Sequence, residues 1–410
     1  MNPNGALRDI RILDLTQMLA GPFATMMLAD HGAEVIKIEP PEGDMTRRVG
    51  PYREDDSARI LGGYFQSINR NKLSVSLDLK TPEGRAVMLK LVATADAVVE
   101  NFRGGVMERL GLGYEVLRET NPRLVYGCIR GFGDERTGAS PYRDWPAFDV
   151  VAQAMGGIMA ITGPDAETPM KVGPGIGDIF PGALLAFGVL AAIHNARQTG
   201  RGQLVDVAMV DSILALCERT VYQHSVLGEI AKPEGNAHPL LVPFGMFPAA
   251  DGCIALGAHD QPFFDALCNA LGAPDILGDP RYATVGSRFV HREALIAALS
   301  GYTSRFTKAE LSERLGGRMP FGPVMNIIDI LHDPHFAIRD MIVSIEQPGS
   351  SAPINIAGVP IKMTETPGGV FRRSPLLGED TLRLLRTAGL SEAEIQILIE
   401  TRVAVAAASA

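Results

Sequence analysis

Residues 10–38 read IRILDLTQMLAGPFATMMLADHGAEVIKI and contain the pattern that decides the fold. The β-rich run 10–15 comes first, and a helical segment, 21–31, follows it with Pro22 in its first turn, where the missing amide hydrogen is tolerated. A second β-rich run, 34–38, follows the helix. The segment is therefore predicted to form a strand–helix–strand unit.

The same alternation recurs twice further along the chain. Residues 73–79 and 96–102 are strand-like and flank a helical segment, 81–95, which opens with Thr-Pro-Glu. A helix near 114–120 and a strand at 124–132 repeat the pattern. Strands separated by helices of this length predict an α/β fold with a doubly wound, mostly parallel, Rossmann-like sheet. In such folds the loops beyond the carboxyl ends of the strands bind the ligand.

The character of the sequence changes after residue 219. Residues 220–331 contain a connector rich in proline and glycine, a strand and several short helices, which predicts a smaller α+β domain with its linkers. We therefore expect a large ligand-binding α/β domain in 1–219 and a C-terminal segment, 332–410, that returns to it.

The composition excludes several classes of protein. The chain has 410 residues, of which 46% are hydrophobic and 21% charged, and its net charge is −9. These values are typical of a soluble globular protein and argue against a general nucleic-acid or anionic-membrane surface. The N-terminus lacks a signal pattern, and no unbroken apolar run away from glycine approaches the ~18 residues of a membrane span. A cytoplasmic protein is expected, and the eight histidines have no acidic partners at metal-ligand spacing, so no metal site is predicted.

Two carboxylates stand at the start of predicted helices. Asp178 follows VGPGIG (172–177) and precedes a long apolar helix, so it is either the helix N-cap or a nucleophile at a glycine-lined site. Asp149 follows Phe148, opens another apolar helix and has the same two interpretations. In either role, the positive end of the helix is expected to keep Asp178 ionised.

Common motifs of nucleotide and hydrolytic enzymes are absent from the sequence. The turn after the first strand lacks G-x-G-x-x-G, which argues against a nicotinamide or flavin cofactor, and no Walker A loop, G-x-S-x-G or H-E-x-x-H occurs. Basic, amide and aromatic side chains do cluster at the predicted strand ends, where together they could hold a phosphate-bearing ligand. They are Arg47, Arg48, Arg70, Lys72, Lys80, Asn101, Phe102, Arg103 and Arg109.

Several longer motifs resemble those of the class III (CaiB/BaiF-type) coenzyme A transferases. The similarity covers nearly the whole chain and is greatest to the succinyl-CoA:glutarate type, as judged by LAGPFAT, ITGP and NAHPLLVPF. The segments that carry it are LDLTQMLAGPFATMMLADHGAEVIKIEPPEGDMTR (13–47), NRNKLSVSLDLKTPEGR (69–85), VENFRGGVMERLGLGYE (99–115), GIGDIFPG (175–182), TGRGQLVDVAMVDS (199–212) and PLLGEDT (375–381).

This resemblance implies an acyl-CoA:carboxylate CoA-transferase in which Asp178 is the nucleophile. Its carboxylate would form a mixed anhydride with the acyl group and then an aspartyl-CoA thioester, from which a dicarboxylic acid takes the CoA. Asp149 would support it, the glycine-loop amides of Gly175 and Gly177 would face the substrate, and His238 would lie on the substrate side.

The resemblance also implies the ligand and the assembly. Coenzyme A or acyl-CoA would be a substrate, with no prosthetic group, and the chain would form an interlocked homodimer. Matched to the family's motifs, the CoA contacts are expected at Gln17, Ala20, Leu77, Lys80, Asn101, Phe102 and Arg109.

The other activities within the family fit less well. Phe148 stands where the related α-methylacyl-CoA racemases have a histidine, and racemisation needs two bases. Leu19 and Pro40 replace a glutamine and an arginine of formyl-CoA transferase, which argues against oxalate or formate. An α-methylacyl-CoA racemase-like enzyme, a carnitine-type CoA-transferase, a CoA-binding protein without turnover and a nicotinamide oxidoreductase stay as alternatives.

Overall fold

A computed structural model describes residues 4–57 and 59–407 and divides the chain into two compact units. The first unit runs up to Ile158, continues over Val172–Tyr222 and resumes at His335. The second comprises Met159–Lys171 and Gln223–Pro334. The sequence boundaries at 219 and 331 lie close to two of these junctions, but the short excursion Met159–Lys171 has no counterpart among the expected boundaries.

The strands of the described residues form three sheets. The largest belongs to the first unit and has seven strands. The second unit has a three-stranded antiparallel sheet, and the C-terminal part of the first unit has an antiparallel pair. In chain order the strands are β1 (Arg11–Asp14), β2 (Glu34–Glu39), β3 (Leu73–Leu77), β4 (Ala97–Glu100), β5 (Val125–Arg130), β6 (Leu204–Ala208), β7 (Phe244–Ala249), β8 (Gly252–Gly257), β9 (Phe321–Pro323), β10 (Ile342–Ile345), β11 (Ile354–Ala357) and β12 (Ala404–Val405).

The seven-stranded sheet has the order β12-β3-β2-β1-β4-β5-β6 and confirms the predicted α/β class. Leu13 of β1 lies opposite Ile36 of β2 and Val98 of β4, and the strands from β3 to β6 are parallel to their neighbours. The exception is β12, which pairs antiparallel with β3. Residues 404–405 therefore extend the sheet.

Helices cover both faces of this sheet. On one face α3, α5, α17 and α18 pack onto β1–β5, and α1 and α7 lie on the other. In chain order the helices are α1 (Ala20–Asp30), α2 (Gly63–Asn69), α3 (Pro82–Val92), α4 (Val106–Arg109), α5 (Tyr114–Thr120), α6 (Asp149–Met155), α7 (Ile176–Thr199), α8 (Met209–Leu216), α9 (Glu218–Leu227), α10 (Gln261–Leu271), α11 (Pro274–Leu277), α12 (Val285–Val290), α13 (Arg292–Thr303), α14 (Lys308–Leu315), α15 (Ile327–His332), α16 (Pro334–Ile338), α17 (Thr381–Thr387) and α18 (Glu392–Glu400); short 3₁₀ turns occur at Met45–Arg48, Ile158–Ile161 and Pro280–Tyr282.

Local sequence explains where the helices begin. Thr81 caps α3 by accepting a hydrogen bond from the amide of Gly84, and Pro82 occupies the first helical position, as its missing amide hydrogen allows. A helix end is also explained by local sequence: α7 is followed at its C-terminal end by Gly200, which adopts φ +73°, a left-handed conformation that side chains disfavour.

The sequence was not expected to contain an apolar segment of membrane-spanning length, but α7 is one by length and composition. By length and composition this 24-residue helix could cross a membrane, because its glycines lie within an otherwise apolar stretch. Leu185, Val189 and Ile193 are buried, and α7 packs against α1 and β5. Core helices of soluble proteins have the same composition, and this one has the packing of a core helix.

The second unit has its own core. Phe264, Leu267 and Leu271 of α10 pack with Leu295 and Leu299 of α13 and with residues of β7 and β8. Asp260 caps α10 by accepting a hydrogen bond from the amide of Phe263. Strands and helices are thus segregated here, as in an α+β unit.

Candidate active site

Asp178 is not the N-cap of α7, although its place in the sequence favoured that role. The N-cap is Gly175, and Asp178 is the third residue of the helix, with no side-chain capping hydrogen bond. Within the described residues its carboxylate has no hydrogen-bond or ion-pair partner. The first turn of α7 thus contains a carboxylate that makes no capping hydrogen bond, the interaction that usually explains an acidic residue at a helix start.

The carboxylate that does cap α7 belongs to Asp149, the first residue of α6. The amide of Gly177 donates a hydrogen bond to Asp149 Oδ1 at 2.7 Å, which satisfies one of the unpaired amides at the start of α7. Gln153 donates from Nε2 to both Asp149 oxygens at 3.0 and 2.9 Å, and its Oε1 accepts the amide of Val172 at 2.8 Å. Asp149 and the buried Gln153 therefore hold both ends of the glycine loop.

Gly177 differs from its expected role on the substrate side. It is buried, and its amide is engaged with Asp149 rather than free to stabilise an oxyanion. A Cβ at this position would lie 2.6 Å from the Asp149 carbonyl oxygen, so only glycine allows α6 and α7 to approach this closely. Gly175 lies at the helix start, where a Cβ would lie 3.1 Å from the side chain of Leu19.

Burial, followed by the negative charge of Asp149, raises the pKa of Asp178 to about 7. The helix end was expected to keep Asp178 ionised, but desolvation and a like charge outweigh the helix dipole. Tyr64 of α2 lies within electrostatic reach, since burial and then the charge of Asp178 raise the pKa of its hydroxyl. A carboxylate of higher basicity, ionised in part near neutrality, is a better nucleophile and a candidate functional group.

Asp178 lines a cavity of about 560 Å³ at the carboxyl ends of β1, β4 and β5, the position that the parallel sheet predicts. Five of the seven expected CoA contacts line the same cavity: Gln17, Ala20, Asn101, Phe102 and Arg109. Further lining residues were not singled out for this role by the sequence: Met45, Arg130, Arg143, Trp145, Phe148 and Met209.

Leu77 and Lys80, the two other expected CoA contacts, do not line this cavity. Leu77 is 1% exposed within the core, because its side chain points from β3 into the packed face of the sheet. Lys80 lies on the exposed turn that follows β3. His238 belongs to the second unit, where its ring packs against Phe244 at 5.1 Å and its Nδ1 accepts the amides of Leu240 and Leu241.

The loop after β1 is held in shape by Asn101. Its Oδ1 accepts the amide of Gln17 at 2.8 Å, and its Nδ2 donates to the Gln17 carbonyl at 2.7 Å. The next residue, Met18, has φ +64°, which is uncommon for a side-chain-bearing residue. Asn101 therefore shapes the cavity wall through the backbone of Gln17.

A buried ionic network lies beneath this loop. Lys72 binds Asp14 at 2.9 Å, Lys37 binds Asp44 at 2.9 Å, and all four side chains are at most 1% exposed. Lys37 also donates to the carbonyl of Thr16 at 2.7 Å, which ties the network to the loop. Burial alone would raise the pKa of Asp14, but the charges of Lys72 and Lys37 hold it below its usual value.

Several of the basic residues expected to hold phosphate serve the fold instead. Arg47 makes a two-pronged pair with buried Glu39, and Arg70 does the same with Asp30. The guanidinium of Arg109, by contrast, has no carboxylate partner within residues 4–57 and 59–407 and lies on the cavity. Sequence alone could not separate these cases, because the partners come from other strands and helices.

Comparison with known proteins gives matches over most of the chain. CoA-transferase family III matches residues 7–381. A succinyl-CoA:mesaconate CoA-transferase of Haloarcula hispanica is 50% identical over 94% of this chain and 97% of its own. A succinate–glutarate CoA-transferase of Agrobacterium fabrum is 38% identical over 94% and 96%. The glutarate type, expected to be the most similar, is thus less similar than the mesaconate type. A solved CAIB/BAIF family protein from Brucella suis superposes with a TM-score of 0.83, at 32% identity, over 94% of this chain and 99% of its own.

Proposed function

Since the chain belongs to CoA-transferase family III, and is therefore a CoA-transferase, we propose that it moves CoA from succinyl-CoA to a five-carbon dicarboxylic acid. Mesaconate is the first acceptor to consider, because the relative named for it shares 50% of its residues with this chain. Glutarate is the second, on the same reasoning at 38% identity.

The observation that carries the proposal is the environment of Asp178. Its carboxylate lines the cavity, has no partner in the described part of the chain, and has a pKa of about 7. A carboxylate that served only stability would be paired or solvated, whereas an unpaired one in a desolvated position costs stability. Such a cost is expected at a reactive group.

The proposed reaction proceeds through two covalent intermediates. An oxygen of ionised Asp178 attacks the thioester carbonyl, and the carbon–sulfur bond breaks. The products are a mixed anhydride between the succinyl group and Asp178, and the CoA thiolate. The thiolate then attacks the Asp178 carbonyl, which releases succinate and leaves an aspartyl-CoA thioester. An acceptor carboxylate attacks that thioester, which forms a second anhydride and releases the CoA thiolate again. The thiolate then attacks the acceptor's acyl carbon in this anhydride, which gives the new acyl-CoA and frees Asp178 as a carboxylate.

The cavity walls suit the two substrates. Arg109, which has no carboxylate partner among the described residues, offers its cation to the phosphates of CoA, since a guanidinium binds phosphate with two parallel hydrogen bonds. Leu19 lies beside Gly175 on the wall that carries Asp178, and its apolar side chain suits the hydrocarbon part of a dicarboxylate.

The test of this function is CoA transfer itself. Incubated with succinyl-CoA and isotopically labelled acids, the protein should form mesaconyl-CoA or glutaryl-CoA faster than the CoA ester of a matched monocarboxylic acid, as followed by mass spectrometry. Carnitine and oxalate serve as comparison acceptors. Absence of CoA exchange with any acid would contradict the proposal.

The proposed nucleophile also predicts a pH dependence. Because only the ionised form of Asp178 attacks, kcat/KM should rise with pH up to about 7. Asp149→Asn keeps an oxygen for the Gly177 amide but removes the charge that helps to raise the pKa of Asp178. The acidic limb should therefore move to lower pH, by roughly one unit.

Asp144→Asn provides the control for this experiment. Asp144 also lines the cavity, but its side chain is 89% exposed and its charge is screened by water. Its pH profile should match that of the wild type. An unchanged profile in Asp149→Asn would show that Asp149 does not tune Asp178.

We also propose a homodimer, which the family resemblance implies to be interlocked. Exposed apolar side chains support association, among them Phe187 on α7 (74% exposed), Val226 (76%) and Ile230 (86%).

A further inference from the structure

Leu19, Met45 and Met209 form a group of apolar side chains on the cavity wall, here called the methionine wall. All three line the same cavity as Asp178. They come from separate parts of the chain: the residue before α1, the 3₁₀ turn after β2 and the first residue of α8. Their side chains carry neither a charge nor a strong hydrogen-bond donor, so the wall offers a ligand mainly apolar contact.

Leu19 and Met209 lie close to the start of α7, the helix that carries Asp178. A Cβ at Gly175, the N-cap of α7, would lie 3.1 Å from the side chain of Leu19. Because α7 leads into β6, which is parallel to β5, α7 begins at the carboxyl edge of the sheet, where α8 also begins with Met209. The helix α8 packs against both α6 and α7.

Met45 belongs to the same end of the cavity. It directly follows Asp44 and is 61% exposed. Tyr64 lies within electrostatic reach of both Asp44 and Asp178, since burial and then the charges of Asp178 and Asp44 raise the pKa of its hydroxyl. The turn that carries Met45 and the carboxylate of Asp178 therefore lie on two sides of one ring, at the reacting end of the cavity.

The backbone of the wall is fixed, whereas its methionine side chains can adapt. Asp44 pairs with buried Lys37 at 2.9 Å, which holds the turn before Met45. The amide of Val210 donates to the carbonyl of Gly131 at 3.1 Å, which holds the start of α8. A methionine side chain is unbranched, with three rotatable bonds and a polarisable sulfur, so it adjusts to ligands of different shape.

Two polar side chains beside this wall already have partners. The carboxylate of Asp149 accepts hydrogen bonds from the Gly177 amide and from Gln153. The side-chain amide of Asn101 is bonded to the backbone of Gln17 at both its oxygen and its nitrogen. A hydroxyl group placed against the methionine wall would give up water for apolar contact, and burying a hydroxyl without a hydrogen bond is costly.

We propose that Leu19, Met45 and Met209 select the acceptor acid, and that they select it by the polarity of its middle carbons rather than by its shape. The acceptors are dicarboxylic acids whose two carboxylates are joined by hydrocarbon alone, whether straight, methyl-branched or unsaturated. Acids with a hydroxyl group on that chain are poor acceptors. This inference rests on the proposed function, because it names the class of acceptor for the same cavity.

Pairs of acids that differ by one hydroxyl group test the inference in the wild-type protein. With succinyl-CoA as donor, kcat/KM should be about ten- to a hundredfold higher for methylsuccinate than for citramalate, and for glutarate than for 2-hydroxyglutarate. Methylsuccinate, mesaconate and glutarate, which differ in shape, should lie within about tenfold of one another, because the methionines adapt. Equal use of the hydroxylated and the plain acids would overturn the inference, and so would a larger spread among the three hydrocarbon shapes.

Substitution of Met45 provides the second measurement, since this exposed side chain is not needed for the core. Met45→Gln keeps an unbranched chain but adds a hydrogen-bonding amide, so the disadvantage of the hydroxylated acids should shrink about tenfold. Met45→Leu keeps the wall apolar and should retain that disadvantage. Met363→Gln, at a position that is 39% exposed and outside the cavity lining, is the control and should leave every ratio of kcat/KM unchanged.

The outcomes separate the inference from the function on which it rests. An active wild type that uses hydroxylated acids equally well would refute the inference and leave the function standing. The same holds if Met45→Gln and Met45→Leu have the same ratios of kcat/KM. A wild type that transfers CoA to no acid would refute the function, and the inference with it.

Discussion

Asp178→Asn is expected to abolish CoA transfer, by at least about a thousandfold, and at the same time to make the protein more stable at pH 8. The first effect follows because an amide cannot form the anhydride. The second follows from the cost of keeping a carboxylate charged in a desolvated position next to Asp149, which raises its pKa to about 7. A residue selected for stability would give the opposite second result.

The sign of the stability effect can be derived from the two pKa values. The carboxyl of Asp178 loses its proton near its ordinary pKa of 3.8 when the chain is unfolded and near 7 when it is folded. Between these values the folded state binds more protons than the unfolded state, so stability falls as pH rises. The variant lacks this loss. It should match the wild type near pH 4 and exceed it at pH 8 by about 1–2 kcal/mol, measured by thermal unfolding.

Asp211→Asn is a matched control, because Asp211 is also the third residue of a helix, α8, and has no capping hydrogen bond there. Its side chain is exposed, so its loss should leave activity unchanged and should lower stability by less than about 1 kcal/mol through the helix dipole. Hydroxylamine added during turnover should modify Asp178 in the wild type. Full activity in Asp178→Asn would exclude Asp178 as the nucleophile.

Lys72→Met should cause the largest loss of stability, about 3–5 kcal/mol in the free energy of unfolding. The ammonium group of Lys72 is fully buried and donates to Asp14, to the Pro22 carbonyl and to Asn69 Oδ1 at 2.9–3.0 Å. It thereby joins the end of β1, the start of α1 and the end of α2. Methionine fills a similar volume but leaves the buried Asp14 without its ion-pair partner.

Chemical denaturation of three variants would check this prediction. Lys80→Met, at the exposed turn that follows β3, should change the free energy of unfolding by less than about 0.5 kcal/mol. Adding Asp14→Asn to Lys72→Met should restore part of the loss, because the unpaired charge is removed. Because Asp14 also holds Thr16, Lys72→Met should weaken CoA binding as well. If Lys72→Met unfolded at the same denaturant concentration as the wild type, the network would not be a principal source of stability.

The order of strands and helices could be predicted because hydrophobic periodicity is a local property. The runs at 10–15, 96–102 and 124–132 each contain a strand of the parallel sheet, and the location of the ligand cavity at their carboxyl ends follows from that topology. The antiparallel β12 was missed, because two residues of a small-residue tail carry no periodic signal.

Which individual residues line the cavity could be predicted only in part. Of the expected CoA contacts, Gln17, Asn101 and Arg109 line the cavity, whereas Leu77 lies in the core. Trp145 was missed as a cavity residue, because an aromatic side chain in a proline-containing segment is equally compatible with a core position. The environment that distinguishes these cases is made by residues distant in the sequence.

The sequence by itself determined the fold class, the family and the presence of a carboxylate at the start of the longest apolar helix. Only the tertiary structure decided what that carboxylate is free to do. Asp149 caps α7 from α6, which leaves Asp178 without a partner in the described part of the chain, desolvated and close to a like charge. A capping interaction between two helices and the pKa of a buried group both depend on neighbours brought together by folding, and a linear pattern of residue types cannot specify either.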